Sequence, residues 1–249
     1  MGRRILITGA SSGIGAELSR MFVERGDIVI GCARSESDLD ALARRIGEDS
    51  FHSVSLDVTD AASAEVAVGM VEDKHGPIDM AVLNAGTYKP TPVNGFDAED
   101  VQAMINVNVL GVSNMLAALM PRMIERRTGH LALMSSVAGF RGLPMAAGYS
   151  ASKAAVIAMG ESLKAELDGF GVKLQVICPG FVKTPLTEQN TFPMPYLMDV
   201  EDAADRIMRG LETERFEISF PRRFAMQLHL LRMMPDSLYF PLIKKAVGL

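Results

Sequence analysis

The sequence predicts an α/β protein built on a parallel sheet with helices on both faces. Short β-branched runs alternate with longer stretches of helical period. The runs are apolar nearly throughout, as strands covered on both faces must be. The first run passes directly into a glycine-rich turn, Thr8-Gly9-Ala10-Ser11-Ser12-Gly13-Ile14-Gly15. The chain has 249 residues, 48% hydrophobic and 22% charged, which is globular composition. At that length it can bury roughly 70–75% of its unfolded surface without a disulfide or metal. No linker and no internal repeat divides it, so residues 1–249 read as one domain.

The strand-like runs are Ile5–Thr8, Ile28–Ala33, Phe51–Asp57, Met80–Asn84, His130–Met134, Lys173–Cys178 and Phe216–Phe220. Helical patterns of ten or more residues separate the first six. After the glycines, for example, Leu18, Met21, Phe22 and Arg25 follow a 3-4 spacing. Residues 185–199 break the alternation: they are rich in Pro, Thr and Asn and have no clear period. In the tail, Phe224, Leu228, Leu231 and Met234 recur at helical spacing. Arg223–Met234 therefore reads as an amphipathic helix stopped by Pro235, with a second short helix over Leu238–Val247. Residues 222–249 hold five basic residues against one acid, a balance of +4 in a chain whose total is −5. Two expectations stand for this tail. Either it packs on its own domain or a partner subunit, which is the favoured one, or it lies on an anionic membrane surface.

Composition also excludes function classes. A net charge of −5 argues against nucleic acid as a partner. The two cysteines, Cys32 and Cys178, each lie in an apolar stretch and read as small core residues. A reducing, cytoplasmic location fits them. The four histidines are scattered and form no close pair for a metal, and no Cys/His spacing suits one. The longest uninterrupted apolar runs are six residues, Met115–Met120 and Ala154–Met159; a membrane span needs about 20. Behind the basic start Met1-Gly2-Arg3-Arg4 stands only Ile5-Leu6-Ile7, too short for a signal peptide.

The glycine turn is the first chemical signal. Glycines there let the chain turn tightly and let a pyrophosphate approach the N-terminus of a helix, where free N–H groups favour an anion. The spacing is G-xxx-G-x-G rather than the usual G-x-G-xx-G, and on its own it also suits a strand–helix turn that binds nothing. The end of the second strand tests the reading. An acid about 20 residues after the glycines would bind the 2′-OH of NAD. Ala33-Arg34 stands there instead. A guanidinium can fork a 2′-phosphate, so the pair favours NADP(H) over NAD(H); the alternative is a solvated Arg34 at a strand end.

Farther along the chain come Asn84-Ala85-Gly86, Asn108, Ser136, Tyr149-Ser150-Ala151-Ser152-Lys153 and Pro179-Gly180. In this order and spacing they closely resemble the short-chain dehydrogenase/reductase family. That family carries TGxxxGxG after the first strand, NAG after the fourth, an Asn in the next long helix, a Ser thirteen residues before the Tyr of YxxxK, and PG after the sixth strand. The resemblance spans residues 3 to about 185. It implies a single Rossmann-like, doubly wound domain with a seven-stranded parallel sheet, and a nicotinamide cofactor. By that likeness Gly9, Ser11, Ser12, Gly13 and Ile14 hold the phosphates and adenosine side, with Asp57 and Val58 at the adenine. Asn84, Ala85 and Gly86 line the ribose. Behind Pro179-Gly180, Val182 and Thr184 meet the nicotinamide amide.

The resemblance also implies chemistry. Tyr149 is the candidate acid in carbonyl reduction and base in alcohol oxidation. A free tyrosine has a pKa near 10, and a cation beside it stabilises the phenolate. Lys153, four residues on, shares its helix face and is within reach of a cofactor ribose. Ser136 is expected to steady the substrate oxygen, while its neighbour Ser135 points the other way along a strand and reads as structural. Asn108, three residues before Gly111, is expected to hold a water that links Lys153 to solvent; Asn106 lies on another side of the helix. Asn84 reads equally as a tie between strands and as part of the site.

The expected activity is therefore NADP(H)-dependent interconversion of a ketone or aldehyde and an alcohol. The alternatives are an NAD-dependent dehydrogenase and a non-catalytic dinucleotide-binding sensor or scaffold. Residues 185–199 and the positions around Phe140–Met145 are expected beside the substrate. Pro185, Leu186, Phe192, Pro193, Met194, Pro195, Tyr196, Leu197 and Met198 suggest that it is hydrophobic. The chain departs from the family's tetrameric members after the last strand, where Phe220-Pro221-Arg222-Arg223 replaces an Asp-Gly-Gly segment. A homodimer through the helices that carry Asn108 and Tyr149 is expected instead.

Overall fold

A computed structural model describes residues 2–190 and 193–247; Phe192, expected in the substrate loop, lies outside the described residues. The strands are β1 (Arg4–Thr8), β2 (Ile28–Ala33), β3 (Phe51–Ser55), β4 (Met80–Leu83), β5 (Gly129–Met134), β6 (Val172–Pro179) and β7 (Glu217–Phe220). They form one sheet in the order β3-β2-β1-β4-β5-β6-β7, every pair parallel. The connecting helices are α1 (Gly13–Glu24), α2 (Glu36–Ile46), α3 (Ala61–His75), α4 (Ala98–Ile105), α5 (Gly111–Glu125), α6 (Ala147–Gly169) and α7 (Val200–Leu211). The tail adds α8 (Arg222–Met233) and α9 (Asp236–Val247).

Two cores form because strand side chains alternate between faces. Leu6 of β1 joins one core with Val68, Met115, Leu119 and Val156 from α3, α5 and α6. Ile5 and Ile7 join the other with Leu18, Phe22, Leu39 and Ile207 from α1, α2 and α7. Leu18 and Phe22, read as one apolar helix stripe, are both buried there. Strand order reverses between β1 and β4, whose ends lie side by side with Thr8 opposite Leu83. Loops leaving the two strands diverge to opposite faces and open a crevice, the place where such sheets receive ligands.

Asn106–Leu110 join α4 to α5 as a turn of π-helix, with the Gly111 N–H reaching back five residues to the Asn106 carbonyl. The resulting 28-residue helix, Ala98–Glu125, is long and apolar enough to cross a membrane. Its residues Met104, Met115, Leu119 and Met123 are nevertheless buried in the protein, as in a core helix. Gly111 is required where this helix crosses Val58, since a Cβ there would lie 2.7 Å from the Val58 Cγ2.

The rings of His52 and His75 stack, with centroids 4.2 Å apart. Stacked faces do not converge on a metal, and no cluster of three His, Cys, Asp or Glu stands together among the described residues.

Candidate active site

A cleft of about 910 Å³ opens at the carboxyl ends of β1, β2, β4, β5 and β6. Its floor begins at the glycine turn. Gly9 and Gly13 take φ of +66° and +53°, a region that costs any side chain strain. Gly15 meets the turn from the first helical turn; a Cβ on it would lie 2.2 Å from the Gly9 carbonyl oxygen. The opening N–H groups of α1 receive no side-chain cap from Ser12. By contrast, α2, α3 and α4 are each capped by Ser35, Asp60 and Asp97. The uncapped end, with Ser11, Ser12, Gly13 and Ile14, faces the cleft.

Asn84 holds the crevice together. Its Nδ2 donates to the Thr8 and Gly9 carbonyls at 3.0 and 3.2 Å, and the Ala85 N–H donates to Thr8 Oγ1 at 3.0 Å. The side chain thus ties β4 to β1, while Asn84, Ala85 and Gly86 also line the cleft. At one rim stand Arg34, Asp57 and Val58. Arg34 is exposed, and no hydrogen bond or ion pair holds its guanidinium among the described residues. Asp57 accepts from the Thr59 N–H and hydroxyl, which holds its carboxyl below the usual range, with Arg34 contributing.

At the other end of the cleft, Ser136, Tyr149 and Lys153 come together, with Pro179, Gly180, Val182 and Thr184 forming the neighbouring wall. Tyr149 and Lys153 lie on α6, one turn apart; Ser136 follows β5 and caps a short turn by accepting from the Ala138 N–H at 3.1 Å. Ser135 also borders the cleft, but its hydroxyl donates to the Lys153 carbonyl at 2.8 Å, a structural bond. Lys153 is only 3% exposed, and its ammonium donates to the Met134 carbonyl at 2.9 Å. No carboxylate pairs with it among the described residues. Burial lowers its pKa to about 8.

The tyrosine differs from the expectation. Burial pushes Tyr149 up to about 12, and contact with the Ser136 hydroxyl offsets only part of that rise. Lys153 Nζ faces the ring, 5.6 Å from its centroid. Spacing set the two groups on one helix face, but desolvation outweighs the lowering expected from the cation. Tyr88 packs edge-on against Tyr149, with centroids 5.1 Å apart.

Asn106 lines the cleft, whereas Asn108 is fully buried behind its wall. Its amide donates to the Thr87 carbonyl and to Ser152 Oγ, both at 2.9 Å, and accepts from the Thr87 N–H at 2.8 Å. Both donors are therefore used, which leaves Oδ1 one lone pair for a water. The π-turn sets this rotation, and the run Asn-Val-Asn-Val-Leu carries no sequence signal for it. Thr87, Ser35, Asp38 and Gln189 also line the cleft and were not singled out from sequence. Ser35 and Asp38 had a signal, the N-cap pattern that follows Arg34.

Of the loop 185–199, Pro185, Leu186, Thr187 and Gln189 line the cleft, while Met198 is buried in the core. Residues 140–145 line no part of the cleft among the described residues. Phe140 is buried and stacks on His229 of the tail, and Arg141 binds the α8 carboxyl end.

A dinucleotide fits these residues. The uncapped helix end suits its phosphates, and a buried lysine with no carboxylate partner among the described residues marks the far end of the same cleft. Comparison with known proteins agrees. The short chain dehydrogenase family model matches residues 3–193. An uncharacterized oxidoreductase of Myxococcus xanthus is 39% identical over 240 residues, covering 95% of this chain and 94% of that protein. The 3-oxoacyl-(acyl-carrier-protein) reductase FabG of Thermotoga maritima is 37% identical over 190 residues, 76% of this chain and 77% of that one. Among solved structures, a short-chain dehydrogenase from Streptomyces avermitilis superposes with a TM-score of 0.82 at 27% identity, covering 99% of this chain and 97% of its own. Another from Sphingobium yanoikuyae, in complex with NADPH, gives 0.80 at 27% identity over 94% of this chain and 97% of its own. The chain belongs to the short-chain dehydrogenase family of NAD(P)-dependent oxidoreductases.

Proposed function

We propose that the protein is an NADP(H)-dependent carbonyl reductase that uses Tyr149 as its acid. The observation that carries this reading is the convergence of Ser136, Tyr149 and the buried Lys153 at one end of the cleft. A bound nicotinamide would supply the hydride. Tyr149, with its pKa near 12, holds its proton at neutral pH and donates it to the forming alkoxide. Ser136 donates a hydrogen bond to the same oxygen. Lys153 remains mostly protonated at pH 7 with a pKa of about 8, and its charge meets the phenolate as that forms. These resting states suit Tyr149 to the acid role in reduction. Asn108 acts at one remove, by fixing Thr87 and Ser152 beside Tyr149.

Arg34 supports the preference for NADP(H): its free guanidinium stands where a 2′-phosphate would enter, and the relative solved with NADPH is consistent with that. Asp38 on the same rim favours the second reading, use of NAD(H), since a carboxylate there would oppose the phosphate. Pro185 and Leu186 on the cleft wall support a hydrophobic substrate. The reduced, buried Cys32 and Cys178 support a cytoplasmic location, and the exposed Leu110 on the Asn108-bearing helix supports a homodimer through that face. A panel of ketones and aldehydes, run with NADPH and with NADH and followed by loss of the reduced nicotinamide absorbance, tests the function. Failure to oxidise either cofactor with any member would leave the sensor or scaffold reading.

A further inference from the structure

The tail has two faces. Ala225, Leu228 and Tyr239 are buried against the body, as expected of a tail that packs on its own domain. Arg141 fixes that docking. Its guanidinium donates to the Leu231 carbonyl, to the Met234 carbonyl at 2.7 Å and to Asp236 at 2.6 Å, and it lies 3.7 Å above the Tyr239 ring.

The opposite face is apolar and uncovered. Met226, Leu230 and Met233 are 60%, 56% and 74% exposed and follow i, i+4, i+7 spacing, so they form one stripe on α8. Arg222 and Arg223 precede Met226 by four and three residues and continue that stripe. On α9, Leu238 and Leu242 are exposed one turn apart, and Lys245 falls on their line three residues later. The only acid in the tail, Asp236, is already paired with Arg141. Among the described residues, the exposed side therefore presents apolar groups and cations with no unpaired acidic side chain, on a chain that is otherwise acidic.

We propose that this face of α8 and α9 docks on the surface of an anionic phospholipid bilayer. Exposed leucines and methionines at helical spacing, flanked by arginine and lysine, match the acyl–headgroup boundary in both polarity and charge. A second copy of the chain docking tail to tail would bring the same cations together. Docking leaves the body free, because the inward residues stay packed. Phe224, on the inner side of α8, has its ring 5.8 Å from those of Phe181 and Tyr196, so the bilayer would lie next to the 185–199 loop. This inference goes beyond the reductase reading and does not depend on it.

The test is co-sedimentation of the full chain with vesicles of mixed phosphatidylglycerol and phosphatidylcholine, against vesicles of phosphatidylcholine alone. The expected result is binding to the anionic vesicles that falls about 10-fold or more in about 0.5 M salt. Arg222→Glu/Arg223→Glu and Leu230→Glu/Met233→Glu should each weaken it by a similar factor, while circular dichroism and cofactor binding stay as in wild type. Equal sedimentation with neutral vesicles, no sedimentation at low salt, or unchanged binding by both double variants would overturn the proposal. So would a halving of the sedimentation mass in Leu230→Glu/Met233→Glu without vesicles, which would assign the face to a second copy.

Discussion

The Lys153 ammonium lies 5.6 Å from the centroid of the Tyr149 ring and is held by the Met134 carbonyl at 2.9 Å. Its charge is thus kept inside the protein beside a neutral phenol. A lysine whose pKa is about 8 when folded and 10.5 when free binds fewer protons in the native state between those values. Stability therefore rises with pH through that window, and below about 8 the cost of the buried charge is complete. The lowering of the pKa corresponds to ~3 kcal/mol, from which loss of the Met134 bond subtracts about 1 kcal/mol. Lys153→Met is expected to stabilise the protein by about 2 kcal/mol at pH 7, and the gain should shrink towards pH 10.5. Urea unfolding at several pH values checks this; a destabilised variant at pH 7 would contradict it.

Arg34 is expected to discriminate between the cofactors. Losing one charge-assisted contact to a 2′-phosphate should raise the KM for NADPH about 10-fold or more in Arg34→Ala, with little change for NADH. Steady-state kinetics with both cofactors measures it, and an equal effect on the two would remove Arg34 from the phosphate site.

At Gly15 two effects oppose. Alanine in a helix gains about 1 kcal/mol over glycine. Here, however, its Cβ would sit 2.2 Å from the Gly9 carbonyl oxygen and 2.7 Å from Asn84 Nδ2. Overpacking of this kind costs about 1–3 kcal/mol, and the displaced groups are those that shape the phosphate end of the cleft. Gly15→Ala should lower both the unfolding midpoint and dinucleotide affinity, read by thermal melts with and without cofactor. An unchanged or raised midpoint would show that the turn relaxes freely.

Arg141 joins the tail to the segment after β5 through contacts about ninety residues apart in sequence. In Arg141→Ala the amides of α8 and α9 should exchange with solvent at least about 10-fold faster, by loss of charge-assisted bonds, while those of α6 keep their protection. Hydrogen exchange resolved by peptide distinguishes this from a global loss of stability.

Much of this arrangement was legible in the sequence because it is local. The strands follow from β-branched runs, and the end of Phe51–Asp57 was read two residues long only because Asp57 leaves β3 to accept from Thr59. The Tyr149–Lys153 face follows from helical period. What sequence did not carry depends on tertiary environment. Desolvation decides the Tyr149 and Lys153 pKa values, a π-turn decides which of Asn106 and Asn108 reaches the cleft, and the tail contact decides that Arg141 serves α8 instead of the cleft.

The central claim is that Tyr149 donates the proton in a carbonyl reduction, and Tyr149→Phe tests it most directly, because only the hydroxyl is lost. With a carbonyl that the wild type reduces, kcat should fall by at least about 100-fold, while cofactor affinity, measured by fluorescence of the bound reduced nicotinamide, stays within about 3-fold of wild type. Turnover close to the wild-type rate, with cofactor binding intact, would contradict the account.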